Sequence, residues 1–296
     1  MSQADDAPPR RGEVFRIAQI SDSHLSETHA YFVDNFRVLA EEVAALSPDL
    51  VVHSGDVSFN GPAAEADLAF ARTEMDRIAA RWRIIPGNHD VGEAPPHSRL
   101  DQPLTDARIA AWRRIFGSAW WVEDVAAWRL VGLDTSLFGS GRPEEAEQAA
   151  FFREALATRG ARPVLVFMHM PPFSDDAKDE KPTTASIPFE GRMPFLETCR
   201  SGGVRAIACG HLHVYRHVTW QGIDIVWAPG TSFVNIAKWL KTFGGFARSG
   251  FVEWVLDGTE ISHRLVEPPR LFTHDTGLWS DRYGTVTKLP PLPLRR

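Results

Sequence analysis

Cysteine is nearly absent. Cys199 and Cys209 are the only two in 296 residues, and they form no CxxC pattern. A disulfide framework is therefore excluded, and a reducing, cytoplasmic setting is expected. Basic blocks are missing too. The chain carries 32 Lys and Arg against 38 Asp and Glu, a formal net charge of −6, which argues against a surface for a nucleic-acid polymer. No apolar run approaches the length of a membrane span. The opening stretch, MSQADDAPPRRGE, lacks the apolar segment of a signal peptide. Residues 1–12 are expected to be a disordered leader. With 44% hydrophobic residues, the remainder can bury a sizeable core.

Apolar runs and helical patterns alternate in the first half. VFRIAQI (14–20), DLVVHSGD (49–56) and RWRIIPGNHD (81–90) read as strands, with helices over 33–46, closed by Ser47-Pro48, and over 63–81. This βαβαβ order predicts a mainly parallel sheet covered by helices. Residues 92–127 read as an insertion with a helical core, and its Trp120-Trp121 pair is a candidate pocket wall. Strands are then expected at 128–136 and 163–172, a helix at 143–158, and a polar loop at 178–192. The runs at 204–213, 214–220, 223–230, 249–258 and 259–266 follow so closely, with Gly-containing turns, that antiparallel pairing is expected. A Pro-rich tail, 267–296, should be extended and either pack on the surface or contact another copy in a homodimer or higher assembly.

The residues at the ends of the strands carry the chemistry. The first strand ends in Asp22-Ser-His24, the second in Gly55-Asp56 and the third in Gly87-Asn88-His89-Asp90. Later ones end in His169 and in Gly210-His211-Leu-His213. Groups just past the carboxyl ends of strands in an open α/β sheet converge on one crevice. Five strand ends thus bring two carboxylates, an amide and five imidazoles to one edge. Residues two apart on an extended segment point the same way, so Asp22 with His24, and His211 with His213, can each offer a pair of ligands. Glycines before Asp56, Asn88 and His211 allow close backbone approach. Nitrogen and oxygen donors without thiolates suit Mn, Fe or Zn. The set is large enough for two metals, with Asp56 able to bridge.

Each piece alone has an ordinary explanation as polar strand-end or turn chemistry. Their number and order resemble the calcineurin-like metallophosphoesterases, most closely the class III cyclic-nucleotide phosphodiesterase branch, over roughly residues 14–235. The resemblance implies a four-layer α/β fold of two packed mixed β-sheets flanked by helices, making one domain over 13–266. It implies Asp22, His24 and His213 on one metal, Asn88, His169 and His211 on the other, and Asp56 between them. A hydroxide bridging the metals would attack a phosphodiester, and His89 would protonate the leaving alkoxide. The small diester expected first is 3′,5′-cyclic AMP. A glycerophosphodiester, or broader mono- and diesterase activity, is the alternative, and a non-catalytic scaffold of the same fold is the alternative of another class. Many relatives place an Asp or Asn three residues after the Gly-Asp aspartate to steer the catalytic His. Phe59 stands there in this chain, followed by Asn60, so the motif leaves the orientation of His89 open.

Among other residues, Asn88, His97 and His217 are candidate substrate contacts, and His29 borders the same loops. His53 is expected to pack behind the site, His263 and His274 to be structural, and both cysteines to be buried small residues.

Overall fold

The computed structural model describes residues 14–94, 102–181 and 183–295. The expected leader at 1–12 and residues 95–101 of the 92–127 insertion, His97 among them, lie outside the described residues. Strand β1 (Val14–Ile20) leads through α1 (Val33–Leu46) to β2 (Leu50–His53), and α2 (Glu65–Met75) leads to β3 (Trp82–Ile84). A short turn of helix, α3 (Asn88–Val91), comes directly after, then α4 (Asp106–Phe116). The second half runs β4 (Trp121–Val125), β5 (Trp128–Leu133), α5 (Pro143–Ala157), β6 (Val164–Met168), α6 (Phe189–Ser201) and β7 (Val204–Cys209). It closes with β8 (Arg216–Trp220), β9 (Ile223–Trp227), β10 (Phe233–Val234), β11 (Phe251–Asp257), β12 (Glu260–Val266) and β13 (His274–Asp275).

One mixed sheet has the order β12-β11-β1-β2-β3 and the other β4-β5-β6-β7-β9-β8. Strands β1, β2 and β3 are parallel, as are β5, β6, β7 and β9, while the outer strands are antiparallel. The alternation of each strand decides the layering. Ile17, Leu50, Val52, Leu165, Phe167, Ala206 and Ala208 point into a core between the sheets, together with the buried Trp128 and Trp254. Their neighbours Ala18, Ile20 and Val51 face the other way, against Phe36, Leu39 and Val43 of α1 and Leu68 of α2. On the far sheet Val164, Val166, Met168 and Ile207 meet Phe152 of α5 and Phe195 and Leu196 of α6. The result is the expected four-layer α/β architecture: helices, sheet, sheet, helices.

Three expectations are corrected. Strand β7 pairs with β9 in parallel, not with β8, because the chain leaves β7 through the His211–His213 loop and returns first on the outer edge. The insertion ends in a strand, β4, since Trp121 and Val125 alternate inward. Trp121 donates its indole N–H to Ile84 O (3.0 Å) and packs on the core between the sheets. Trp120 packs on the helix side, and among the described residues neither lines the pocket beside the strand-end cluster. Helix α6 had no sequence expectation behind it, because Gly191 and Pro194 interrupt its pattern.

The tail lies along its own chain. Leu292 bonds to Thr28 and Ala30 through its N–H and C=O (2.9 and 2.8 Å), and β13 pairs in parallel with β10. Among the described residues no helix is long and apolar enough to cross a membrane.

Candidate metal centre

Strands β1, β2, β3, β6 and β7 all deliver their last residues to one end of the sandwich. Five residues there, Asp22, His24, Asp56, His211 and His213, have φ between 47° and 70°. Side chains other than glycine rarely adopt this left-handed region, and strain of this kind clusters at functional sites. The reason for the paired spacing therefore differs from expectation: both members of each pair sit in left-handed backbone, not on an extended segment. Tight approach explains the glycines. A Cβ on Gly55 would lie 2.5 Å from His169 Nδ1, and one on Gly87 would collide with Asp56 Oδ1 and lie 2.8 Å from His169 Nε2.

Three overlapping groups of donor atoms result: Asp22, His24 and His213; Asp56, His169 and His211; and His24, Asp56 and His89. Asn88 joins the second, with Oδ1 3.1 Å from His169 Nε2. Asp56 reaches both sides, since its Oδ2 lies 3.2 Å from His169 Nε2 and 3.8 Å from His24 Nε2. Its other oxygen is held by the backbone N–H of His89 (2.7 Å). Likewise the N–H of His211 holds Asp22 Oδ2 (3.0 Å), freeing Oδ1 to face His213 Nε2 at 3.1 Å.

Backbone carbonyls decide the tautomers. Because a carbonyl can only accept, the nitrogen that meets it carries the proton. His213 Nδ1 donates to Phe233 O (2.6 Å), His169 Nδ1 to Ser54 O (2.9 Å), His89 Nδ1 to Phe59 O (3.0 Å) and His211 Nε2 to Thr184 O (2.6 Å). In the deprotonated form that ligates a metal, His213 and His169 turn a bare Nε2 towards carboxylate or amide oxygens about 3 Å away. Two lone pairs at that distance repel unless a cation lies between them. His169 Nε2 has three such neighbours, Asp56 Oδ2 (3.2 Å), Asn88 Oδ1 (3.1 Å) and His211 Nδ1 (3.3 Å). Atoms bound about 2.1 Å from one cation lie roughly 3.0–3.4 Å from each other. Both ring nitrogens of His24 and Oδ1 of Asp22 are buried without a hydrogen-bond partner, another sign of groups meant for a metal. The donor set fits a binuclear centre.

Electrostatics agree. Burial holds His24 well below the ordinary histidine value, with His89 adding to the effect, and holds His211 down at about 4. Both are thus neutral and free to ligate. Burial alone would raise Asp22 and Asp56, yet the surrounding imidazoles keep both carboxyls below their usual range. Burial also pushes His169 down, but Asp56 overrides it and drives the ring up to about 10, which measures how strongly the pocket attracts positive charge.

The neighbouring residues include several that sequence reasoning missed. Asp90, buried, accepts from Gly87 N (2.8 Å), Val57 N (3.2 Å) and Ser58 N and Oγ (2.8 and 2.7 Å). It ties the Asp56 loop to the Asn88 loop, and its place after Gly-Asn-His was the available signal. His53 does pack behind the site: its Nδ1 accepts from Gly55 N (3.3 Å), so its Nε2–H donates to Ser23 Oγ (2.9 Å), between Asp22 and His24. His29 stacks on the Phe59 ring, 4.9 Å away and 9° from parallel. His217 is not brought to the cluster. It sits on edge strand β8, bonded to Asp224 (2.9 Å) and edge-on to His263.

Asp134, at the end of β5, is buried, and burial pushes its carboxyl from 3.8 up to about 6 despite bonds from Ser136 N and Oγ. A carboxyl raised on folding binds its proton more tightly in the native state. Its contribution to stability is complete below about 3.8 and is lost as pH rises through about 6, roughly 3 kcal/mol by neutrality. Asp134→Asn keeps an acceptor for Ser136 and removes the charge. We expect the variant to be more stable than the parent at about pH 7 and equal to it near pH 4, measured by urea unfolding. An unchanged difference between the two proteins across that range would disprove the assignment.

A two-sheet sandwich carrying paired nitrogen and oxygen donor clusters at its strand ends defines a metal-dependent hydrolase of the phosphoesterase class. The sequence profile of the calcineurin-like phosphoesterases matches residues 15–215, and the chain belongs to that family, whose members use a binuclear metal centre. It is 26% identical over 280 residues to the probable glycerophosphodiester phosphodiesterase GpdQ of Arcobacter nitrofigilis, spanning 92% of this chain and 91% of that protein. It is also 26% identical over 235 residues to the 3′,5′-cyclic adenosine monophosphate phosphodiesterase CpdA of Escherichia coli strain K12, spanning 75% and 78%. Among solved structures, the purple acid phosphatase PPD1 of yellow lupin superposes with a TM-score of 0.63 at 15% identity. That match covers 91% of this chain and 54% of the plant chain, a likeness of fold.

Proposed function

We propose that this chain is a cytoplasmic binuclear-metal phosphodiesterase acting on a small diester, with 3′,5′-cyclic AMP or a related cyclic nucleotide as the leading substrate. The observation that carries the reading is Asp56, whose Oδ2 stands between two donor clusters. Asp22, His24 and His213 would hold one metal and Asn88, His169 and His211 the other, with Asp56 shared between them. When bound, the pair supplies charge neutralisation at the phosphoryl oxygens and a water acidic enough to act near neutral pH.

The chain's own groups do the rest. With Nδ1–H held on Phe59 O, His89 would act in its imidazolium form, whose Nε2–H passes to the departing alkoxide and leaves the neutral ring. Geometry alone would also let that nitrogen ligate, because His89 lies within reach of His24 and Asp56. A pocket beside the cluster is lined by Thr135, Ser136, Thr183, Thr184, Ser186 and Met170, among others. Among the described residues its lining holds Glu93 and no Lys or Arg, so phosphate recognition would fall to the metals and Asn88. The similarity to GpdQ supports glycerophosphodiesters as the second reading. Both cysteines are buried and free, in keeping with a reducing compartment.

The test is side-by-side hydrolysis of 3′,5′-cyclic AMP, 2′,3′-cyclic AMP, glycerophosphodiesters and bis(p-nitrophenyl) phosphate by metal-reconstituted protein. The leading reading expects the 3′,5′-cyclic nucleotide to have the highest kcat/KM of the natural diesters. A glycerophosphodiester turning over at least tenfold better would replace it with the second. No turnover of any diester would return the chain to the scaffold class.

A further inference from the structure

Two of the carbonyls that set histidine tautomers, Phe59 O and Phe233 O, belong to residues of one small apolar cluster. Its buried members are Phe32, Phe59, Phe233 and Leu289. The Phe233 ring lies 4.2 Å from the ring of His213 and 4.9 Å from that of His24. Phe59 is pinned on one side by the stacked ring of His29. Leu289 closes the cluster, and it is the one apolar side chain of residues 272–295 that is buried.

The tail that brings Leu289 here is tied at several points. Tyr31 Oη donates to Pro290 O (2.7 Å), and Leu294 N donates to Glu27 O (2.8 Å). Asn35 exchanges bonds with both backbone groups of Phe272 (2.8 and 2.9 Å). Phe233 sits on β10, a strand of two residues whose ladder partner among the described residues is β13 of the same tail. Removing that partner leaves a two-residue segment with no sheet to hold its carbonyl in place. Every tail residue named here lies beyond the 15–215 span that the family profile covers.

We propose that the C-terminal segment 272–292 is a positioning element of the metal centre, which keeps Phe59 and Phe233 in place and through their carbonyls fixes the rings of His89 and His213. Ligand and acid orientation depends on such outer partners, and loss of one commonly costs ten- to a hundredfold in metal affinity or activity. The proposal rests on the phosphodiesterase reading, but its first readout needs no substrate.

Leu289→Ser in the full chain tests it, with Leu289→Met as the conservative control. Nitrogen-15 and proton spectra of the zinc-loaded protein report the hydrogen bond made by each ring's Nδ1–H. We expect Leu289→Ser to keep its fold, judged by circular dichroism, while the Nδ1–H signals of His89 and His213 shift and broaden as their carbonyl partners are released. Turnover of diesters with poor leaving groups should fall about 10- to 100-fold, aryl esters should lose less than about threefold, and Leu289→Met should restore both spectra and rates. If Leu289→Ser fails to fold, Tyr31→Phe, which frees only the Pro290 carbonyl, is read in the same way. Parent-like Nδ1–H signals for both rings in the folded variant would overturn the proposal. So would an equal loss for both ester kinds accompanied by a lowered Tm, the mark of a merely structural role. Should no ester be hydrolysed by the parent, the functional reading fails while the spectra still decide this one.

Discussion

Asp56→Asn is expected to leave a folded protein that no longer holds two metals, and its diesterase rate should fall by at least about a thousandfold, some 4 kcal/mol of transition-state stabilisation. The carboxylate contributes its negative charge and, uniquely in this site, one oxygen that faces both donor groups. An amide keeps the shape and gives up the charge. The oxygen accepting from His89 N can be retained as the amide carbonyl, but an NH2 group must then occupy the position between His169 and His24, where it would face the nitrogens reserved for metal. Folding should survive at some cost, because the surrounding imidazoles more than offset the burial of this carboxylate and the amide gives up that attraction. The check is metal content by mass spectrometry after dialysis, read alongside circular dichroism. Two metals per chain at full occupancy in the variant would refute the bridge.

The site was more legible in the sequence than its mechanics were. Asp22, His24, Asp56, Asn88, His169, His211 and His213 could be found because each comes just after an apolar run, and a parallel sheet sends such residues to a single edge. The structure brings all seven, with His89, to one end of the sandwich. Composition and spacing could not convey how they are held. Left-handed backbone at Asp22, His24, His211 and His213 is a property of loops packed against each other, and it has no local sequence code beyond the neighbouring glycines. The same holds for the carbonyls of Phe59, Ser54, Thr184 and Phe233, since any residue has a carbonyl and only the fold decides which one meets an imidazole. The β7 pairing was misjudged for a related reason. Closely spaced runs favour hairpins only when the connection is a tight turn, and here the connection is the ligand loop itself. Helix α6 was hidden by Gly191 and Pro194, though its Phe195, Leu196 and Cys199 face the sheet at helical spacing.

Phe59 also answers the question its own side chain raised. The main-chain oxygen of Phe59, 3.0 Å from His89 Nδ1, sets the ring orientation that the motif left open. A carbonyl fixes the tautomer as a carboxylate would, but it brings no negative charge to stabilise the imidazolium. His89→Ala should therefore keep both metals, since the seven proposed ligands remain. Its effect should depend on what leaves. An alkoxide from a sugar or glycerol needs a proton in the transition state, so turnover of such diesters should drop about 100- to 10,000-fold, the usual worth of a general acid. A p-nitrophenolate leaves without that help, and bis(p-nitrophenyl) phosphate should lose less than about tenfold. Rates on both substrates, with metal content measured on the same samples, separate the possibilities. Equal loss on both esters with two metals present would remove His89 from the acid role, and loss of one metal would make it a ligand, the alternative that its closeness to His24 and Asp56 leaves open.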